Sequence, residues 1–362
     1  MRRGGITGTA VAMACAALAL SVPPPATAAG RVALGDVQQA IQKLANTTGV
    51  VGTIGEVYVD GRRVGQGSAG SRLLDGKGGR IPPGSRYRIA SQTKIMEAAV
   101  VLQLVGEGKL SLDDKLSHLL PEVATNDWVE LADEITVRDL IRHTSGIPQY
   151  TDSGKFDTFD FTTPYQPIDL VKASRTVPRQ GPVGQYLYST TNYVLLGMII
   201  ERTTGHDRAA EFARRLFHPL GMNRSYLATR VSDLIKGPHG HGYYPDGQGR
   251  PRDIDRLNAT ISAEGAISTA HDVSTFYRAL FQGRLLPPEL QRQMPRPRPA
   301  LCGGTVAAIE GSAPGITSAT FTTTDGRLQF EVATTLKIDN MQATDVGDAT
   351  AKAAEAVLCP TR

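Results

Sequence analysis

An α+β protein is expected from three features of the chain. Residues 50–59 and 62–69 have strand character around the turn Asp60-Gly61. A second pair of strand-like runs, 318–324 and 328–336, flanks Asp325-Gly326-Arg327 near the other end. Between the two pairs most segments have helical spacing, and no internal repeat is present. With 362 residues and 41% apolar composition, the chain is long enough to bury a sizeable core.

The first residues have the form of a secretory leader. Arg2 and Arg3 precede an apolar stretch from about residue 6 to 22, then Pro23-Pro24-Pro25 and the small-residue site Ala26-Thr27-Ala28. Cleavage is expected after Ala28, leaving one domain over 29–362 and no stable membrane anchor, because Gly8 and the prolines interrupt the apolar stretch. Cys15 lacks a lipoprotein lead-in. The formal charge of +4 falls to +2 once the two leader arginines are removed. No basic patch points to nucleic acid. The mature chain keeps Cys302 and Cys359, a candidate disulfide in an oxidising compartment, with two buried free thiols as the alternative.

Elements follow in order. Residues 37–44 are spaced as a short amphipathic helix ahead of the first hairpin, and a Gly-rich loop over 75–84 leads to Arg86-Tyr87-Arg88-Ile89-Ala90. Ser91-Gln92-Thr93-Lys94 then opens a strongly apolar helix that stops near Gly106. The next helix is expected to end at Pro121, and Thr136 caps one over 136–142. The stretch to Pro182, punctuated by Pro and Asp, reads as loop. Helices follow over 193–202 and 207–216, then a Gly- and Pro-rich loop over 237–251. Residues 262–269 form a small-residue strand or turn before a helix over 272–281. Pro295, Pro297 and Pro299 alternate with Arg296 and Arg298, which excludes a central strand there. A helix over 344–358 closes the chain.

The chemistry concentrates at Ser91 and Lys94, the one Ser-x-x-Lys in the sequence. Three residues apart on a helix, their hydroxyl and ammonium share a face. Apolar neighbours would desolvate the lysine and lower its pKa, so that a neutral amine takes the serine proton while the helix N-terminus supplies positive potential. The bland alternative is a capping serine followed by a solvated lysine. His143-Thr144-Ser145 invites a triad, but no feature places an acid or oxyanion hole beside it, and a structural turn is expected. His239 and His241, alternate residues on one face of a strand, would supply two metal ligands; no third is evident, so neither metal nor cofactor is expected.

Taken together, the motifs resemble the serine β-lactamase and penicillin-binding protein superfamily, in the branch of DD-carboxypeptidases, class C β-lactamases and related esterases. They are Arg88-Ile89-Ala90-Ser91-Gln92-Thr93-Lys94, the run from Leu102 to Asp114, His143-Thr144-Ser145-Gly146-Ile147, Tyr188-Ser189 with its helix, Ile267-Ser268-Thr269-Ala270-His271-Asp272, and Gly311 through Ser318. The resemblance implies an antiparallel sheet flanked by helices, built from about 35–110 and 255–360, with a mainly helical region inserted over about 111–250. It makes Ser91 the acylated nucleophile, Lys94 its proton partner and Tyr188 a proton relay. The amides of Ser91 and Ser312 would form the oxyanion hole, worth on the order of 3 kcal/mol per donor. Cys302 and Cys359 fall where a secreted DD-peptidase of this branch carries its disulfide.

Two motifs depart from the pattern. Thr190 stands where Tyr-x-Asn has asparagine, and a single hydroxyl cannot both donate to a substrate carbonyl and accept from the lysine. Ile309-Glu310-Gly311 replaces the usual Lys or His, Thr or Ser, Gly; only Gly311, which admits close backbone approach, survives. Glu310 would repel an anionic substrate and, if near Lys94, favour the ammonium. Glu264 stands where glycine is usual and, like Glu310, could receive a cationic substrate group. The expected activity is that of a secreted, monomeric serine acyl-hydrolase acting on an ester or peptide, peptidoglycan stem peptides ending in D-Ala-D-Ala being the family default. The alternative is an impaired relative that binds a ligand or cell wall without turnover.

Overall fold

The computed structural model describes residues 33–360 apart from Ala263, Arg296, Arg298, Met341 and Gln342, together with Met1 and Gly4. Most of the expected leader and both arginines of the proline segment lie outside the described residues. The chain divides into Met1–Ala33 and Leu34–Arg362, and every element among the described residues lies in the second unit.

Helix α1 (Val37–Ala45) starts where the Asp36 carboxylate accepts from the Gln39 amide. Strands β1 (Val50–Val59) and β2 (Arg62–Gly70) form the first hairpin. Asp60 and Gly61 both have positive φ, as a two-residue turn between twisted strands requires. The short β3 (Tyr87–Arg88) leads into α2 (Gln92–Gly106), which is apolar nearly all round and runs through the larger core.

Helices α3 (Leu116–Leu119) and α4 (Pro121–Thr125) come next. Pro121 opens α4 instead of closing a helix, since its fixed φ and missing N–H suit a first turn. Helix α5 (Val137–Arg142) has the expected cap, a reciprocal pair of bonds between Thr136 and Asp139. Helix α6 (Pro167–Ser174) occupies a stretch expected to be loop. Eight residues that bury Leu170, Val171, Ala173 and Ser174 carry too little periodicity to stand out, although Pro167 at the first position and the Gln166–Asp169 box mark the start. Helix α7 (Thr191–Thr204) ends at left-handed Gly205, and α8 (Arg208–Phe212), capped by Asp207, continues as a π-turn to Phe217.

The remaining elements are β4 (Tyr226–Leu227), β5 (Tyr243–Pro245), β6 (Pro251–Asp253), β7 (Ala266–Ser268), α9 (Ala270–Phe281), α10 (Pro288–Gln291), β8 (Pro299–Leu301), β9 (Val306–Ala313), β10 (Ile316–Thr323), β11 (Leu328–Leu336) and α11 (Thr344–Leu358). Six strands form one antiparallel sheet in the order β2-β1-β11-β10-β9-β8, so the two ends of the chain share it. Pro299 sits on its edge strand, where a missing donor costs no ladder bond.

Side chains alternate between two cores. Val57, Phe321 and Phe330 pack with α1 and α11, whereas Ile54, Tyr58 and Ala333 join the larger cluster with α2, α7 and α9. Burial on both faces explains why β1 shows no strict apolar–polar alternation. A disulfide joins Cys302, in the turn between β8 and β9, to Cys359 at the end of α11, and the free-thiol alternative falls. Strand β3 pairs with β7, which holds the segment before Ser91 against the segment after Glu264. No helix among the described residues is long and apolar enough to cross a membrane.

Candidate active site

Between β3 and α2 the chain turns at Ala90, whose φ of 48° is uncommon for a residue with a Cβ. The turn delivers Ser91 to the start of α2. There its side chain makes no capping bond, because the first amides of the helix bond to the carbonyls of Ile89, Ala90 and Ser91. Its hydroxyl is left to the neighbouring side chains, contrary to the capping alternative.

Three groups meet Ser91 Oγ. Tyr188 OH donates at 3.0 Å, Lys94 Nζ donates at 3.4 Å, and the serine hydroxyl itself donates to Glu264 Oε1 at 2.9 Å. Lys94 is 3% exposed, and burial pulls its pKa down to about 7 while Glu97 pushes the other way. Its ammonium also contacts Glu264 Oε1 directly, and that carboxylate favours the charged amine against the effect of burial. Thr190 Oγ1 donates to the same oxygen at 3.3 Å. One carboxylate oxygen thus collects Ser91, Lys94 and Thr190.

Tyr188 stands on a scaffold supplied by the His143 motif. Its ring stacks on His143, with Lys94 Nζ 4.9 Å from the ring centroid. Burial chiefly raises the phenol's pKa, with hydrogen bonds to Ser91 and Thr190 opposing it. His143 Nδ1 accepts from the amide of Ser189 at 3.1 Å and lies 3.3 Å from Asn192 Nδ2. Ser145 is fully buried and donates to Asn192 Oδ1 at 2.6 Å, which excludes it as an accessible nucleophile. Asn192 is therefore spent inside the protein, as its offset from the Tyr-x-Asn spacing suggests.

The third motif lies alongside. A Cβ at Gly311 would fall 2.2 Å from the carbonyl oxygen of Ile89 and 3.1 Å from the amide nitrogen of Ser91, so β9 can approach the serine only as glycine. Ser312 follows with its hydroxyl accepting from Asn340 Nδ2 at 2.9 Å. Glu310 is exposed and lines, with Ser91, Tyr188, Gly311, Ser312 and Asn340, an open cleft of about 510 Å³. Ile309 points into the core. The acid on Lys94 is Glu264, not Glu310, and Glu264 engages Ser91 and Lys94 directly. The acid at a small-residue position before Ile267 was the one signal of this in the sequence. A larger cleft of about 740 Å³, lined by Tyr165, Met198, Glu201 and Arg256 among others, contains none of Ser91, Lys94 and Tyr188. Elsewhere the fold brings Asp255 to His239 and His241, the third ligand group not evident in the linear sequence.

The two-ended antiparallel sheet, with Ser91, Lys94 and Tyr188 at one locus, is the architecture of the serine β-lactamase and DD-peptidase-like hydrolases. Comparison with known proteins agrees. A family model described as Beta-lactamase matches residues 37–311, and the chain belongs to that family. It is 32% identical over 191 residues to penicillin-binding protein 4 of Amycolatopsis lactamdurans, covering 52% of this chain and 48% of that one. The chain spans about a third to a half of the length of the curated relatives it matches. Among solved structures, a D-stereospecific amidohydrolase from Streptomyces sp. superposes with a TM-score of 0.73 at 28% identity, covering 90% of this chain and 98% of that one. The fold is shared with D-amino acid amidase from Ochrobactrum anthropi SV3, with a TM-score of 0.74 at 23% identity over 88% of this chain and 98% of that one.

Proposed function

We propose that the protein is a secreted serine acyl-hydrolase that carries the acyl group of an ester or amide as an ester on Ser91 Oγ and releases it to water. The observation behind this is the meeting of Tyr188 OH, Lys94 Nζ and a carboxylate at one serine hydroxyl. In acylation the Ser91 proton passes to Glu264, its acceptor at 2.9 Å, as Oγ attacks the carbonyl carbon. Lys94, held as ammonium by Glu264, and the amides of Ser91 and Ser312 oppose the charge on the carbonyl oxygen. Tyr188 gives its phenol proton to the leaving amine or alcohol, and the ammonium near its ring offsets the transient phenolate. In deacylation the phenolate takes a proton from the attacking water, and Glu264 returns its proton to Ser91.

With Ile309 buried and Glu310 in the cleft, the described residues that line the cleft include no cation to replace the usual Lys or His. This favours neutral or cationic acyl substrates over the carboxylate of a D-Ala-D-Ala terminus. The leader pattern and the Cys302–Cys359 disulfide support an extracytoplasmic location.

One observation favours a second reading, an impaired relative that binds without turnover: Glu264 engages both Ser91 and Lys94. Intact mass after exposure to a penicillin and to a small neutral activated ester, with Ser91→Ala and Glu264→Gln alongside, separates the two. The hydrolase forms a Ser91-dependent adduct or turns over the ester, and Glu264→Gln slows it by about 10²–10⁴-fold, the range of general-base loss. Absence of adduct and turnover in folded protein, or a gain of turnover in Glu264→Gln, establishes the impaired state.

A further inference from the structure

Two histidines distant in sequence from Ser91 share one posture. His239 is buried, and its Nδ1 lies 2.6 Å from the carbonyl oxygen of Gly237. A carbonyl oxygen only accepts, so Nδ1 carries the hydrogen and Nε2 is the ring nitrogen left to face Asp255, bridged to it by a proton or free to bind a metal ion. His241 Nδ1 lies 2.8 Å from Asp253 Oδ2, again an acceptor, which leaves its Nε2 in the same role. The rings are nearly parallel, with centroids 5.2 Å apart and planes 13° apart. Both Nε2 atoms face one carboxylate: Asp255 Oδ1 is 2.7 Å from that of His239, and Asp255 Oδ2 is 3.9 Å from that of His241. One ligand atom from each of the three residues lies within 4.8 Å of the others.

We infer that His239, His241 and Asp255 form a site for a divalent transition-metal ion, zinc by the chemistry of its ligands. Two imidazole nitrogens and one carboxylate are a zinc donor set that leaves a fourth position for water. Protons on the two Nε2 atoms satisfy the Asp255 carboxylate one contact at a time, whereas one divalent ion in their place binds all three groups together. A hydrogen bond from Nδ1 to a carbonyl or carboxylate is also the orientation that metal-binding histidines show. Ligand atoms about 2.0–2.1 Å from a tetrahedral ion stand roughly 3.3 Å apart. The separations of 2.7 and 3.9 Å, to the two oxygens of Asp255, straddle that value, and with all three ligand atoms within 4.8 Å of one another an ion closes the site by drawing the side chains together.

The backbone of the site is already tied down. The amide of His241 donates to the carbonyl of Arg72, Arg72 Nε donates to the carbonyl of His239, and Arg88 donates to the carbonyl of Asp255. Arg88 belongs to β3, so an ion here clamps the loop over 237–242 and the segment after β6 onto the strand that leads to Ser91. Its role is structural, and it holds whether or not Ser91 turns substrate over.

The test uses tag-free protein stripped with EDTA and titrated with Zn²⁺ against a chromogenic chelator, with Co²⁺ absorption as a second readout. One equivalent of Zn²⁺ per chain is expected, with visible four-coordinate bands for Co²⁺ and a Tm that rises with added Zn²⁺. His241→Ala should bind at least ~100-fold more weakly, Asp253→Asn about 10–100-fold more weakly, and His118→Ala, at an exposed position, as wild type does. Wild-type protein that binds less than one equivalent and gives no Co²⁺ bands overturns the site. So does binding that is unchanged in folded His241→Ala, or that is lost equally in His118→Ala.

Discussion

The imidazole of His143 lies face to face with the phenol ring of Tyr188, their centroids 4.4 Å apart and their planes 28° apart. His143 closes α5 in a left-handed conformation and, through Nδ1, fixes the amide of Ser189 next to the tyrosine. It thus positions Tyr188 without reaching Ser91. His143→Ala should lower kcat for an activated ester by about 10–100-fold while KM changes less, the scale of a displacement of about 1 Å in a reacting group. His143→Phe, which keeps a stacking ring, should recover part of the loss. Equal kcat in all three proteins would show that the stack does not set the phenol.

The same histidine makes stability depend on pH. Burial first, and the nearby Lys94 charge second, hold its pKa at about 3, against about 6.5 in the unfolded chain. Between those values the unfolded chain binds the proton and the folded chain does not. Its contribution is complete above about pH 6.5 and is lost at about 1.4 kcal/mol per unit as pH falls towards 3. Urea unfolding at pH 7 and pH 5 should show a smaller loss for His143→Phe than for wild type. Parallel losses would place the pH dependence in other groups.

Gly311→Ala should damage the site more than its size suggests. The added carbon meets the Ile89 carbonyl oxygen at 2.2 Å and the Ser91 amide nitrogen at 3.1 Å, backbone that cannot yield, besides Ser318 Oγ at 2.9 Å. Overpacking of this kind costs about 1–3 kcal/mol. Because β9 must move away from Ser91, Ser91-dependent turnover should fall by about 10²-fold, the cost of losing one oxyanion donor. Retention of wild-type turnover would separate β9 from the reaction.

Removal of the Cys302–Cys359 bond frees a loop of 57 residues. Loop entropy sets the loss at up to about 4 kcal/mol. The disulfide sits at the β8–β9 turn and the end of α11, neither of which contains Ser91, Lys94 or Tyr188. Cys302→Ser/Cys359→Ser should therefore melt at lower temperature while its initial rate of ester turnover at 25 °C stays near wild type. A large fall in that rate would tie the bond to the geometry of the cleft.

Much of this architecture was legible because its causes are local. Asp60-Gly61 marks a hairpin, Thr136 and Asp139 cap a helix, and the apolar run after Lys94 fits a helix buried on all sides. Helix α6 is not legible in the sequence because eight residues with one partly developed apolar face resemble a Pro-rich loop. Pro121 is ambiguous for a related reason: proline both ends and begins helices, and packing decides which.

Ser91 and Lys94 stand three residues apart on a helix, and their meeting follows from helical pitch alone. Tyr188 is reached only through the resemblance of Tyr188-Ser189 and its helix to the family's motif. The contact of Glu264 with Ser91 spans 173 residues, and Asp255 reaches His239 across 16 residues of loop and short strand. No periodicity encodes such meetings, because they depend on which strands pair and on how far each loop carries its side chains. Local hydrogen bonding and the helical repeat are written in neighbouring residues, whereas the acid that meets Ser91 and Lys94 is brought there by the pairing of β3 with β7, a property of the folded chain.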